Sequence, residues 1–149
     1  MDNPLLQKFE GPFGLPPFGV LRDADFAPAF EAALAQARAR VAAIADDPAA
    51  PTFANVIAAL ELSEEHLDQV SAVFYNLSGA DSNPAREALE RDLAPKLAAY
   101  ASDVTMNAGL WAKISDLWAR RDSLGLGAEE ARVLELYERR FRRAGAALD

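Results

Sequence analysis

The 149 residues include no cysteine and a single histidine, His66. Without cysteine there is no disulfide framework, no thiolate nucleophile and no Cys-based zinc site. With one imidazole, no site that needs two histidines is built from this chain. Long apolar runs are missing too: none approaches the roughly 20 residues of a membrane-spanning helix. The opening MDNPLLQKFE has neither the basic start nor the apolar run of a secretory signal. The expectation is a cytoplasmic protein, for which the glycosylation pattern Asn76-Leu77-Ser78 has no meaning. Basic residues are in the minority, 15 against 23 acidic ones, for a net charge of −8. Such a surface repels phosphate backbones, which argues against nucleic acid as a partner. What remains is 51% apolar and 26% charged, enough to bury a core. The length suits one domain or one part of a larger protein.

Sustained two-residue alternation is absent as well, so no strand is predicted. Residues 1–22 hold Pro4, Pro12, Pro16 and Pro17 with Gly11, Gly14 and Gly19, which forbid a continuous helix. Yet Leu5, Leu6, Phe9, Phe13, Leu15, Phe18, Val20 and Leu21 are too apolar for a free tail. The segment reads as an extended arm docked on its own domain or on a missing one. From residue 23 to 149 every long segment has helical period. A first helix is predicted from about Asp25 to Asp46, with Asp23 or Asp25 as cap and Phe26, Phe30, Leu34, Ala37, Val41 and Ile44 as its stripe. A second runs from the cap Thr52 to about Leu77, its stripe interrupted at Ser63 and Glu64. A third starts at Asn83-Pro84 and carries Leu89, Leu93, Leu97, Tyr100 and Val104; Pro95 should kink it or split it in two. A fourth follows Asn107 with Leu110, Trp111, Ile114, Leu117 and Trp118, and a fifth starts near Ala128 with Val133, Leu134, Tyr137, Phe141 and Ala144. Short connections between them predict an all-α, mainly antiparallel bundle of about five helices.

The residues that could carry chemistry are few. His66 lacks a carboxylate three residues before it, where Ser63 stands, so the Glu-x-x-His pair of di-iron bundles is absent and the imidazole reads as structural. Glu61, Glu64, Glu65 and Asp68 share one side of the second helix. No calcium loop surrounds them, and they read as a solvated face, not a cation site. Arg139, Arg140, Arg142 and Arg143 could hold phosphate or carboxylate. Helix-end stabilisation and the pairs Glu135–Arg139 and Glu138–Arg142 account for them more simply. Trp111 and Trp118 read as core with Ile114 and Leu117. Ser71, Ser78 and Ser123 lie in no nucleophile elbow, and Gly125 with Gly127 is only a fragment of a Gly-rich loop. No catalytic, cofactor-binding or metal-ligating set is assigned within this chain.

An ordered series of short motifs goes further. Asn3-Pro4-Leu5-Leu6, Pro16-Pro17-Phe18 and Phe26-x-Pro28-Ala29-Phe30-Glu31 come first. Pro51-Thr52-Phe53-Ala54-Asn55-Val56-Ile57-x-Ala59-Leu60-Glu61 and Ser71-x-Val73-Phe74-Tyr75-Asn76-Leu77 follow. Arg120-Arg121-Asp122-Ser123-Leu124-Gly125-Leu126 and Ala144-Gly145-Ala146-x-Leu148 close the series. Together they resemble the N-terminal region of the thimet-oligopeptidase-type zinc metallopeptidases, and most of all its bacterial peptidyl-dipeptidase branch. The resemblance implies a helical region forming one side of a channel that admits short peptides. It also implies zinc on a His-Glu-x-x-His helix in a distal catalytic domain. None of those ligands exists here, so the resemblance implies a catalytically inert piece, with the catalytic domain of the same polypeptide as its partner. Two other readings stay open: the same region of the sister endo-oligopeptidase, and a stand-alone helical interaction module. The missing partner implies exposed apolar surface and self-association, with Leu5, Leu6, Phe9, Phe13, Phe18, Tyr137 and Phe141 as contributors.

Overall fold

A computed structural model describes residues 3–148; residues 1, 2 and 149 of the sequence-based assignments lie outside it. Among the described residues there are helices and turns and no strand, so the fold is all-α. Six α-helices are present: α1 (Asp23–Asp46), α2 (Ala59–Ser63), α3 (Glu65–Ala80), α4 (Pro84–Thr105), α5 (Ala108–Ala119) and α6 (Ala128–Ala144). They fall into two compact units. One comprises the chain up to Arg38 with Glu64–Leu97; the other comprises Ala39–Ser63 with the chain from Ala98 onward.

In the first unit the arm is irregular but anchored. Asn3 caps a single 3-10 turn, Pro4–Leu6, by accepting from Leu5 N at 2.9 Å, while its amide donates to the Asp25 carbonyl at 2.8 Å. Gln69 Nε2 on α3 donates to the carbonyls of Leu5 (2.7 Å) and Gln7 (2.9 Å). These bonds satisfy arm carbonyls that no helix or strand serves. They seat Leu5 where it is fully buried, so Leu5 is not part of the exposed surface expected of the arm. Of the two docking readings, this part of the arm takes its own domain. Farther on the expectation of exposure holds. Pro12–Gly14 forms a second 3-10 turn in which Phe13 has φ 60° and is 99% exposed, and Leu15, Phe18 and Val20 are exposed with it.

The core of this unit is aromatic. Phe26 and Phe30, four apart on α1, meet Phe74 of α3 edge-on at centroid distances of 5.2 and 5.4 Å. Ala29, Ala33 and Ala37 are buried between larger side chains and complete the α1 stripe. Asn83 caps α4, accepting from Arg86 N at 2.9 Å, with Pro84 at the first helical position, where its missing N–H is no loss.

In the second unit the start of the predicted second helix takes a different form. Thr52 is its cap, in a reciprocal box: Asn55 N donates to Thr52 Oγ1 at 3.1 Å and Thr52 N donates to Asn55 Oδ1 at 2.7 Å. The first turn, Phe53–Ala58, is π-helical. Its residues Val56 and Ile57 are both buried in the core. The predicted single helix from Thr52 to Leu77 is thus corrected to a π turn, α2 and α3, with the break at Glu64, where the backbone leaves helical geometry. The expectation of a split at Pro95 is also corrected. α4 runs unbroken through it, and Pro95 and Arg91, whose carbonyl loses its helical donor, are both exposed.

α5 packs against α6, and the π turn touches both. Leu110, Ile114 and Leu117 of α5 and Leu134 and Phe141 of α6 are fully buried. Phe141 therefore leaves the predicted exposed patch, since it lies at the core register of α6. Lys113 on α5 and Arg120 just past its end hold the loop before Thr52: Lys113 Nζ donates to the Asp47 carbonyl, and Arg120 Nη2 to the Pro51 carbonyl at 3.1 Å. Gly145 at φ 102° ends α6, and Ala146 N returns to the Phe141 carbonyl at 3.1 Å.

Candidate functional site

The residues singled out by type do not converge on one place. His66 is half-buried on α3, and its Nδ1 donates to Gln36 Oε1 of α1. The four acids of the predicted face are divided by the break at Glu64. Glu61 accepts from the Tyr137 hydroxyl at 2.6 Å. Glu65 and Asp68 lie exposed on α3. Among the described residues no group of three or more His, Cys, Asp or Glu side chains is placed to hold a metal ion. Ser123 Oγ donates to the Arg120 carbonyl at 2.7 Å, Ser71 is half-buried on α3, and Ser78 Oγ is buried with no hydrogen-bond partner among the described residues. Gly125 has φ 65° and serves the turn between α5 and α6; Gly127 precedes α6 and donates its N–H to Glu130 Oε2 at 2.9 Å.

The arginine cluster forms the two pairs read from spacing. Arg139 binds Glu135, and Arg142 Nε donates to Glu138 Oε1 at 2.7 Å. Glu135 also accepts from Arg132 Nη1 at 2.6 Å. Arg132, with Arg139, holds the Glu135 carboxyl below its ordinary value. Glu138 is 7% exposed, a buried acid at the core register between Leu134 and Phe141. Its spacing from them is the signal that would have revealed it.

The tryptophans differ from expectation. They are half-buried at the rim, and a cation lies over each ring: the Arg121 guanidinium 4.4 Å from the Trp118 centroid, and that of Arg142 5.7 Å from Trp111. Trp118, Arg121, Asp122, Arg132 and Glu135 line an open concavity of about 540 Å³, with Leu126 between them. It offers an aromatic face and two charge signs in pairs, a surface that can bind, with no nucleophile or activated base among these side chains. Of the Arg120-Arg121-Asp122 motif, Arg121 and Asp122 line it, while Arg120 turns to the Pro51 carbonyl.

Among the described residues no helix is long and apolar enough to cross a membrane. No family model matches the sequence. Two curated proteins are similar to it across nearly its whole length. Both are named dipeptidyl carboxypeptidase. The protein from Escherichia coli is 38% identical over 146 residues, and that from Salmonella typhimurium is 36% identical over 146 residues, 98% of this chain in each case. The chain spans about a fifth of the length of these relatives, 21% and 22% respectively. The likeness carried by the short motifs is therefore one that extends through the chain.

Proposed function

We propose that this chain is the helical, channel-forming part of a zinc metallo-oligopeptidase that releases dipeptides from the C-termini of short peptides in the cytoplasm. The observation that carries the reading is the 36–38% identity, over 98% of the chain, with proteins named dipeptidyl carboxypeptidase. Amide hydrolysis by such an enzyme draws on a metal ion that activates water and polarises the scissile carbonyl. The residues here do not fit that ion: there is one histidine, its Nδ1 engaged by Gln36, and no cysteine. No step is assigned to them. The reading therefore gives the zinc ligands and the base to other residues of the same polypeptide, and makes this segment inert alone. Its own contribution is helical surface with bonded loops and buried aromatics, which borders the channel and confines a flexible peptide.

The reading frame and its metal content test this. A frame that continues into a His-Glu-x-x-His helix, with one zinc per full-length chain, supports the proposal. A frame without that motif, or stoichiometric zinc in these 149 residues alone, rejects it. An exposed Phe13 on a left-handed turn favours a second reading, a stand-alone interaction module, which a frame ending with this segment would support.

A further inference from the structure

Helix α6 has a side that its packing leaves unused. Leu134, Glu138 and Phe141 are its buried positions. Glu129, Val133, Leu136, Arg140 and Arg143, spaced four, three, four and three, form another stripe on the same helix. Glu129, Arg140 and Arg143 are exposed, Val133 is half-buried and Leu136 is 46% exposed. The stripe is graded along the axis: acidic at the N-terminal end, apolar at the middle, basic at the C-terminal end. Arg139 and Arg142 are committed to Glu135 and Glu138. Arg140 and Arg143 have no ion-pair partner among the described residues.

Beside the acidic end runs a groove of about 360 Å³. Phe53, Leu62 and Val133 give it an apolar lining, and Leu62 is 64% exposed. Its charged residues are Glu61, Glu129 and Glu130, with no base among them. A groove of this kind takes an aliphatic stem that ends in a cation. The chain carries two such unpaired side chains at the other end of the same helix.

We infer that a second copy of this chain docks here, the two α6 helices crossing antiparallel at Leu136 about a two-fold axis. The register follows from the spacing. Glu129 and Arg143 lie seven residues to either side of Leu136, so each copy's Glu129 faces the other's Arg143, and the pairing occurs twice. Arg140 covers the facing copy's Val133 with its stem and reaches the acidic groove with its guanidinium. Leu136 packs on its own symmetry mate. Antiparallel helices also set opposite dipole ends side by side. One helix crossing and one shallow groove make a small interface, below about 1,200 Å² in total, so the dimer is a weak one. This inference does not depend on the peptidase reading.

Sedimentation or light scattering of the 149-residue chain, from about 10 μM to about 1 mM at low ionic strength, reads the mass directly. The expected result is a concentration-dependent rise from 16.1 kDa toward twice that value, reversed by about 0.5 M salt. Glu129→Arg and Arg143→Glu each place like charges opposite one another and weaken self-association tenfold or more. An equimolar mixture of the two restores both pairs and forms a heterodimer. Leu136→Arg, at the crossing, abolishes dimer formation. All three positions are exposed, and circular dichroism verifies that the helices are kept. A wild-type chain that stays monomeric throughout overturns the inference. So does self-association that all three variants retain, which would assign it to another surface such as the Phe13 turn, or a mixture that recovers nothing.

Discussion

The side-chain amide of Asn83 donates a 2.8 Å hydrogen bond to Asp23 Oδ2, while its carbonyl oxygen caps α4. One residue thereby starts α4 and ties it to the start of α1. Arg86 completes the cluster, donating through Nε to Asp23 Oδ1 at 2.7 Å. The Asn83 bond first, and then Arg86, hold the Asp23 carboxyl below its usual range. A depressed carboxyl stabilises the fold above its unfolded value of about 3.9, and that contribution is lost as pH falls through the lower folded value. Asp23→Ala is expected to cost about 1 kcal/mol at neutral pH, discounted for partial exposure. The difference from wild type should shrink in strong acid. Urea melts at a series of pH values measure it, and a difference that grows toward low pH contradicts the assignment.

Thr52 holds the π turn in place through its box with Asn55. Thr52→Ala leaves Asn55 N without its acceptor and is expected to cost about 1 kcal/mol, within the usual cap range of roughly 0.5–2. Asn55→Ala removes the bond to Thr52 N and also the one from Asn55 Nδ2 to the Ala50 carbonyl, at 3.1 Å, so its cost should be equal or larger. Chemical denaturation midpoints check both, and unchanged midpoints would reject the box as a stabilising feature.

Phe74 is the hub of the first unit, fully buried with Phe26 and Phe30 edge-on to it. Phe74→Ala leaves a cavity among close-packed rings, with an expected loss of about 3–5 kcal/mol. Phe74→Leu should lose less. Equal losses for the two would show that the site collapses around either side chain.

Gln69 is the clamp on the arm, and Lys8 stands exposed just beyond it. Gln69→Ala should free this stretch of arm and speed tryptic cleavage after Lys8, with little change in helix content by circular dichroism. Cleavage at the wild-type rate would mean that burial of Leu5 alone holds the arm.

The elements legible in the sequence are those fixed by local chemistry. Thr52, Asn83 and Asn107 are caps, because a short oxygen-bearing side chain next to an apolar period satisfies the first free N–H groups of the helix that follows. The pairs Glu135–Arg139 and Glu138–Arg142 are legible because four residues is one turn. What escapes local reading depends on packing. The π turn has no signal in apolar spacing: Val56 and Ile57 are both buried, but so are the neighbours Val73 and Phe74 within the regular helix α3. Pro95 is tolerated because its side of α4 is wet. Leu5 and Phe141 are buried by partners distant in sequence. At the candidate site, Arg121 follows Trp118 by three residues, a pairing spacing, yet it lies past the end of α5, so its place over the ring depends on the turn that follows. His66 is settled by Gln36, thirty residues away.

Dipeptide release by the whole reading-frame product tests the functional account most directly. An unstructured peptide with a free C-terminus is incubated with that product and, separately, with the 149-residue chain, and the fragments are weighed by mass spectrometry. The account predicts successive loss of C-terminal dipeptides with the whole product, abolished by a chelator and restored by zinc, and an intact peptide with the 149 residues alone. Chelator-sensitive cleavage by the 149 residues alone, or no dipeptide release by the whole product, would contradict it.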